Sequence, residues 1–181
     1  MLILRTYEDP AHYGGPASDP PWVEGGVSSY AGLRQTYGEY LVRSRVTSTT
    51  GVSQVELLWP ANNSWPPEID FNESNGSGGL TTATLHWGSS TDPQQETQSL
   101  QIDLTQWHTW GVIWSPGEVI YTVDGTVWAT ITNPNTPSEP MVLDLQQEVS
   151  ACGSGEVCPS STTPAEVDLE VDWVVVDAPN D

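Results

Sequence analysis

The chain contains no lysine, and its 181 residues carry four arginines against 24 aspartates and glutamates. The resulting formal charge of −20 repels nucleic-acid phosphates and anionic membrane surfaces, so both partner classes are disfavoured. The same charge favours a soluble, non-associating monomer. No apolar run reaches the length that spans a bilayer. The opening Met1-Leu2-Ile3-Leu4 is far too short for a signal peptide. Phenylalanine occurs once and cysteine twice, and two cysteines are too few for a zinc cage. Cys152 and Cys158 stand in a Gly/Ser/Pro loop. Two free thiols are one reading; a disulfide closing the loop is favoured, and with it a secreted or extracellular protein. No segment longer than about ten residues keeps an uninterrupted helical period.

What the chain has is aromatic bulk and punctuation. Nine tryptophans and six tyrosines exceed what one small core needs, so several are expected along a surface groove. Sixteen glycines and 15 prolines divide Val-, Thr-, Tyr- and Trp-rich runs, which indicates an all-β sandwich or barrel. Residues 9–32 read as a long loop. Strands are expected at 37–46, 52–59, 68–73, 81–87, 98–104, 108–114, 119–123, 127–131, 141–149 and 167–176. Asp124-Gly125 reads as a hairpin turn. The length suits a single domain over 1–181.

The most pointed segment is Glu68-Ile69-Asp70-Phe71-Asn72-Glu73, entered through Trp65-Pro66-Pro67. Ile69 and Phe71 interleave with Glu68 and Asp70, which places those two acids on one strand face. Glu73 joins that face only if one extra residue is absorbed, as in a β-bulge. Paired carboxyl groups facing a sugar are what glycosidic bond cleavage needs: one attacks or activates water, the other protonates the leaving oxygen. In so acidic a chain the pattern can also be a solvated strand. Trp65 shifts the balance, because an aromatic face suits the C–H face of a sugar. On the strand at 37–46, Arg43 and Arg45 share a face with Glu39, read either as a solvated ion-paired surface or as a polar cleft wall, the latter favoured. Asp144, Gln146 and Glu148 fall on one side of the strand at 141–149.

Together these pieces resemble glycoside hydrolase family 16. Glu68 to Glu73 matches its Glu-x-Asp-x-x-Glu signature. Trp107 to Pro116 followed by Tyr121 to Gly125 looks like its "HTYxxxW-P … YVDG" segment. Tyr37 to Arg43, Leu85 to Gly88 and Val171 to Val176 are similar to three further segments, in the right order. The resemblance implies a concanavalin A-like β-jelly roll: two curved antiparallel sheets with an open cleft on the concave face. It implies an endo-acting, retaining hydrolase of a β-linked polysaccharide. Glu68 would be nucleophile, Asp70 helper carboxylate and Glu73 general acid/base. The six-residue motif resembles the laminarinase, agarase and carrageenase branches, and a neutral β-1,3-glucan is the expected substrate. Trp65, Arg43, His86, Gln146, Glu148 and Trp110 are the candidate substrate-binding residues. Trp110 can equally be core.

No cofactor is expected for catalysis. A structural calcium with Asp172 as one ligand is left open, since calcium takes six or more oxygens. The resemblance starts inside the usual domain, so the family's opening strands are expected to be missing. Two alternatives remain: a lectin-like jelly roll, which needs the Trp-lined groove but not the acids, and a transglycosylase using the same site. Sequons at Asn62, Asn72 and Asn75 crowd the acid segment, which points to a source that does not N-glycosylate this protein.

Overall fold

Period-two alternation builds the molecule. A computed structural model describes residues 1–9, 22–149 and 157–179. The strands are β1 (Leu2–Glu8), β2 (Trp22–Val23), β3 (Gly26–Ser28), β4 (Gly38–Val46), β5 (Ser53–Pro60), β6 (Glu68–Ser74), β7 (Leu80–Ser89), β8 (Asp92–Gln101), β9 (His108–Ser115), β10 (Glu118–Val123), β11 (Thr126–Thr132), β12 (Met141–Glu148) and β13 (Glu166–Asp177). They form two antiparallel sheets, of seven strands in the order β11-β10-β9-β4-β13-β1-β2 and of six in the order β3-β12-β5-β6-β7-β8. The all-β, two-sheet architecture expected from the sequence is the observed one. Among the described residues there is no helix, hence none long and apolar enough to cross a membrane.

The core lies between the sheets. Tyr40, Val42, Trp110, Val112, Trp114 and Tyr121 come from the seven-stranded sheet and meet Leu58, Ile69, Phe71, Leu85 and Met141 from the other. The alternation is clearest on β4, which buries every second side chain along its length. The hairpin from β10 to β11 turns at Asp124-Gly125, where both residues have positive φ, 51° and 76°. That is the conformation a two-residue hairpin loop needs to match strand twist.

Three sequence expectations change in the folded chain. Trp110 is 1% exposed and pairs with Val42 on the inward face of β4, so it is core and not a sugar contact. Arg43 stands on the opposite, solvent-side face of β4, in the sheet that does not carry the acid row. It lies 3.5 Å from Asp172 and over the Trp107 ring. Its neighbour Arg45 bonds Glu170 at 2.6 Å and also covers Trp107. The ion-paired reading of this face is the observed one, because the apolar even residues of β4 take the core and send the arginines outward. The strand expected at 98–104 begins at Asp92. Its first half is polar because β8 is an exposed sheet edge with no buried face to mark it.

The expected pairing of Cys152 with Cys158 falls outside the described residues, because Cys152 is not among them. The expected loop at 9–32 lies partly outside them; its described part holds the short strands β2 and β3.

Trp110→Ala should destabilise the fold by about 3–5 kcal/mol, measured by denaturant unfolding. Unchanged stability with weakened sugar binding would return Trp110 to the cleft.

Candidate active site

β6 is where alternation breaks. Ile69 and Phe71 point into the core, fully buried. Glu68 pairs with His86, Asp70 with Thr84 and Glu73 with Thr82. Successive partners on β7 are therefore two residues apart, while β6 spends two residues on the first step and three on the second. The same shift appears against β5, where Glu56 pairs with Asn72 and Leu57 with Asp70. One extra residue is absorbed in a bulge, and Phe71 and Asn72 both turn inward. Glu68, Asp70 and Glu73 thereby occupy three successive positions on the outer face of the six-stranded sheet.

That face can be read row by row, because directly paired residues share a side. Asp70 lies in a row with Leu57 and Asp144, and Glu73 in a row with Val55 and Gln146. Glu148 is one step further on β12 and accepts from Gln146 Nε2 at 2.8 Å. Gln146 and Glu148 also line a shallow pocket with Glu24 and Gly26. The Trp65 indole Nε1 donates to Glu68 Oε2 at 2.7 Å, and its ring lies 5.9 Å from that of His86. His86 Nε2 is 3.0 Å from Asp70 Oδ2. The Thr82 hydroxyl donates to Glu73 Oε2 at 3.3 Å. The fold thus brings Glu68, Asp70, Glu73, Trp65, His86, Gln146 and Glu148 to one sheet face. It leaves out Arg43 and Trp110. Asp144 is a further acid on this face; its signal was the same alternation that exposed Gln146 and Glu148.

The acids raise one another's proton affinity. Burial pushes Glu68 up to about 8, and the Asp70 charge adds to it, while the Trp65 hydrogen bond and His86 work against it. Asp70, 3% exposed, is raised well above the usual carboxylate range by burial, then by Glu73, with Glu148 adding a smaller push. Glu73 is raised by burial, offset by the Thr82 hydrogen bond. Glu68 and Asp70 are neighbours whose proton affinities are both raised, chiefly by burial, so their titrations belong to the pair. Asp70 is the more deeply buried of the two, while the Glu68 carboxyl accepts from the indole N–H.

The ligand atoms of Glu68, Asp70 and His86 lie within 4.8 Å of one another, the one such grouping of three or more His, Cys, Asp or Glu found among the described residues. Asp172 belongs to no such grouping and faces Arg43.

Residues 22–174 match the sequence profile of glycosyl hydrolases family 16. The chain belongs to that family. Over 124 residues it is 30% identical to the endo-1,3-1,4-beta-glycanase ExsH of Rhizobium meliloti, covering 67% of this chain and 27% of that protein. Over 155 residues it is 23% identical to EglC of the same organism, also an endo-1,3-1,4-beta-glycanase, covering 84% and 33%. The chain thus spans about a third or less of the curated relatives it matches. LamAcat from Zobellia galactanivorans superposes with a TM-score of 0.81 at 23% identity, covering 97% of this chain and 76% of that one. The laminarinase catalytic domain from Thermotoga petrophila gives 0.78 at 18%, covering 99% and 78%. These likenesses show the family 16 jelly roll.

The raised acids have a stability consequence. A carboxyl whose folded pKa is raised supports the fold fully below its unfolded pKa and loses that support as pH rises toward the folded value. Asp70→Asn imitates the protonated form. Its melting temperature relative to wild type should climb as pH goes from 4 to 8, read by thermal unfolding. A constant difference across that range would show that Asp70 is not held protonated.

Proposed function

We propose that the chain is an endo-acting, anomer-retaining glycoside hydrolase that cuts a neutral β-glucan, with a laminarin-type β-1,3-glucan as substrate. The observation that carries this is the bulge-aligned row of Glu68, Asp70 and Glu73, flanked by Trp65 and His86. In this reading Glu68 attacks the anomeric carbon while Glu73 protonates the departing glycosidic oxygen. The covalent sugar ester on Glu68 is then cleaved by water, with Glu73 taking the proton the water gives up. Two inversions return the starting anomer. Retention asks the two carboxyl groups to stand about 5–5.5 Å apart. Their strand positions are separated by four residues of β7, or roughly 13 Å, so the side chains lean toward each other over Asp70.

Asp70, between the two, holds the proton that keeps three close acids from all ionising. Glu73 needs its own proton for the first step, and burial supports that. Trp65 offers an aromatic surface to the sugar; Gln146 and Glu148 offer hydrogen bonds further along the face.

Charge supports a neutral polymer. None of the six strands of the acid-bearing sheet contains Arg or Lys. Arg5, Arg43 and Arg45 belong to the other sheet, and Arg34 stacks on Tyr30 in the loop before β4. A sulfated galactan would meet five carboxyl groups and no strand cation on this face. A polymer substrate is too large to enter a cell, which supports export. The names of the two curated relatives favour a second reading, a mixed 1,3-1,4-linked glucan.

Digestion of laminarin, lichenan, agarose and carrageenan, with product sizing and anomer detection by NMR, tests the reading. Expected are a ladder of laminarin oligomers with β anomers formed first, and no action on carrageenan. Lichenan cleaved with laminarin untouched would select the mixed linkage. Products longer than the substrate would indicate transfer, and binding without turnover a lectin. Glu68→Gln should abolish turnover, and Glu73→Gln should slow polymer cleavage about 10²–10⁴-fold. Near wild-type cleavage by Glu68→Gln would remove it as nucleophile.

A further inference from the structure

A carboxylate sits where an apolar side chain belongs. Glu56 is on the inward face of β5, fully buried among the core residues of the sandwich. The Ser44 hydroxyl, on β4 of the facing sheet, donates to Glu56 Oε1 in a short hydrogen bond. Glu56 Oε2 has no partner within hydrogen-bonding geometry. Glu56 pairs directly with Asn72, the inward-turned residue of the bulge, whose amide lies close enough to favour the Glu56 charge. Asn72 Oδ1 in turn accepts from the Thr81 hydroxyl on β7 at 2.8 Å. That hydroxyl also lies 3.1 Å from the main-chain oxygen of Glu73. A polar line therefore runs Ser44, Glu56, Asn72, Thr81 across the interior of the sandwich and ends on the residue after the bulge.

The bulge is what makes this line matter. It turns Asn72 into the core, and a buried amide without partners costs free energy. An unbulged strand would send Asn72 outward and Glu73 inward. The partners of Asn72 thus favour the one register in which Glu73 reaches the outer face. We propose that Glu56, Asn72 and Thr81 are positioning residues for Glu73, a polar strut beneath the sheet that fixes the bulge and so the placement of that carboxyl over the site. This rests on Glu73 being the acid/base.

Burial pushes Glu56 up to about 8, with Ser44 and Asn72 opposing. It stays neutral through most of the range, and glutamine is its nearest mimic. Asn72, 1% exposed, is also closed to N-glycosylation despite its sequon.

The test exploits the leaving group. A dinitrophenolate departs without protonation, so loss of the acid slows polymer cleavage far more than cleavage of a dinitrophenyl β-glycoside of the same oligosaccharide. Added azide, which needs no base, completes turnover of the latter. The variants are Glu56→Leu, Thr81→Val and Glu56→Gln, with Glu73→Gln as reference.

Glu56→Leu and Thr81→Val should lower kcat on polymer about tenfold or more, with KM within about twofold. Both should keep near wild-type rates on the dinitrophenyl glycoside with azide, and Glu56→Gln should restore most polymer activity. Equal losses on both substrates, or no loss, would overturn the strut while Glu73→Gln still shows the leaving-group effect. If Glu73→Gln lacks that effect, the acid/base assignment falls and the strut with it. Thr81→Val is nearly isosteric and carries the test if Glu56→Leu does not fold.

Discussion

A β-strand with one buried face must alternate, and β6 satisfies that rule except at one residue. Ile69 and Phe71 obey it and lock the strand against the core. Asn72 breaks it by turning inward beside Phe71, and Glu73 is delivered to the same side as Glu68 and Asp70. Everything chemical about the site depends on that extra residue. Without it the third carboxyl would face the sandwich interior, where an unpaired charge is untenable.

The two sheets divide the charge. Three of the four arginines stand on the seven-stranded sheet, tied to Asp168, Glu170 and Asp172. The six-stranded sheet gathers Glu68, Asp70, Glu73, Asp144 and Glu148 with no strand cation. Burial and mutual repulsion raise the central acids, so protons take the place of absent countercharges. The arrangement costs stability as pH rises, a familiar expense at functional sites. Glu56 repeats the logic inside the core: its line to Ser44 and Asn72 links the two sheets directly under the acids.

Legibility in the sequence tracked how far each feature depended on neighbours along the chain. The acid segment was readable because Ile69 and Phe71 mark the alternation within six residues, and Glu73 was recoverable by allowing a bulge. Most strands were readable for the same reason. β8 was half missed because an exposed edge has no apolar face to alternate with. Arg43 was misplaced for a different reason. Alternation on β4 correctly separated Tyr40 and Val42 from Arg43 and Arg45, yet nothing local says which sheet a strand joins. Trp110 was ambiguous because an inward face and a groove face carry similar residues.

The sequence by itself determined the all-β architecture, the strand faces, the acid row and its likeness to family 16, since each follows from periodicity and short-range order. The tertiary structure alone decided the membership of each sheet, and with it whether an aromatic or an arginine meets the acids or turns away. It also decided that His86 and Trp65 meet Asp70 and Glu68, and that Glu56 lies buried under the bulge. These depend on contacts between residues distant in the chain, or between facing sheets. A period-two pattern records which side a residue points to, but not what is waiting there.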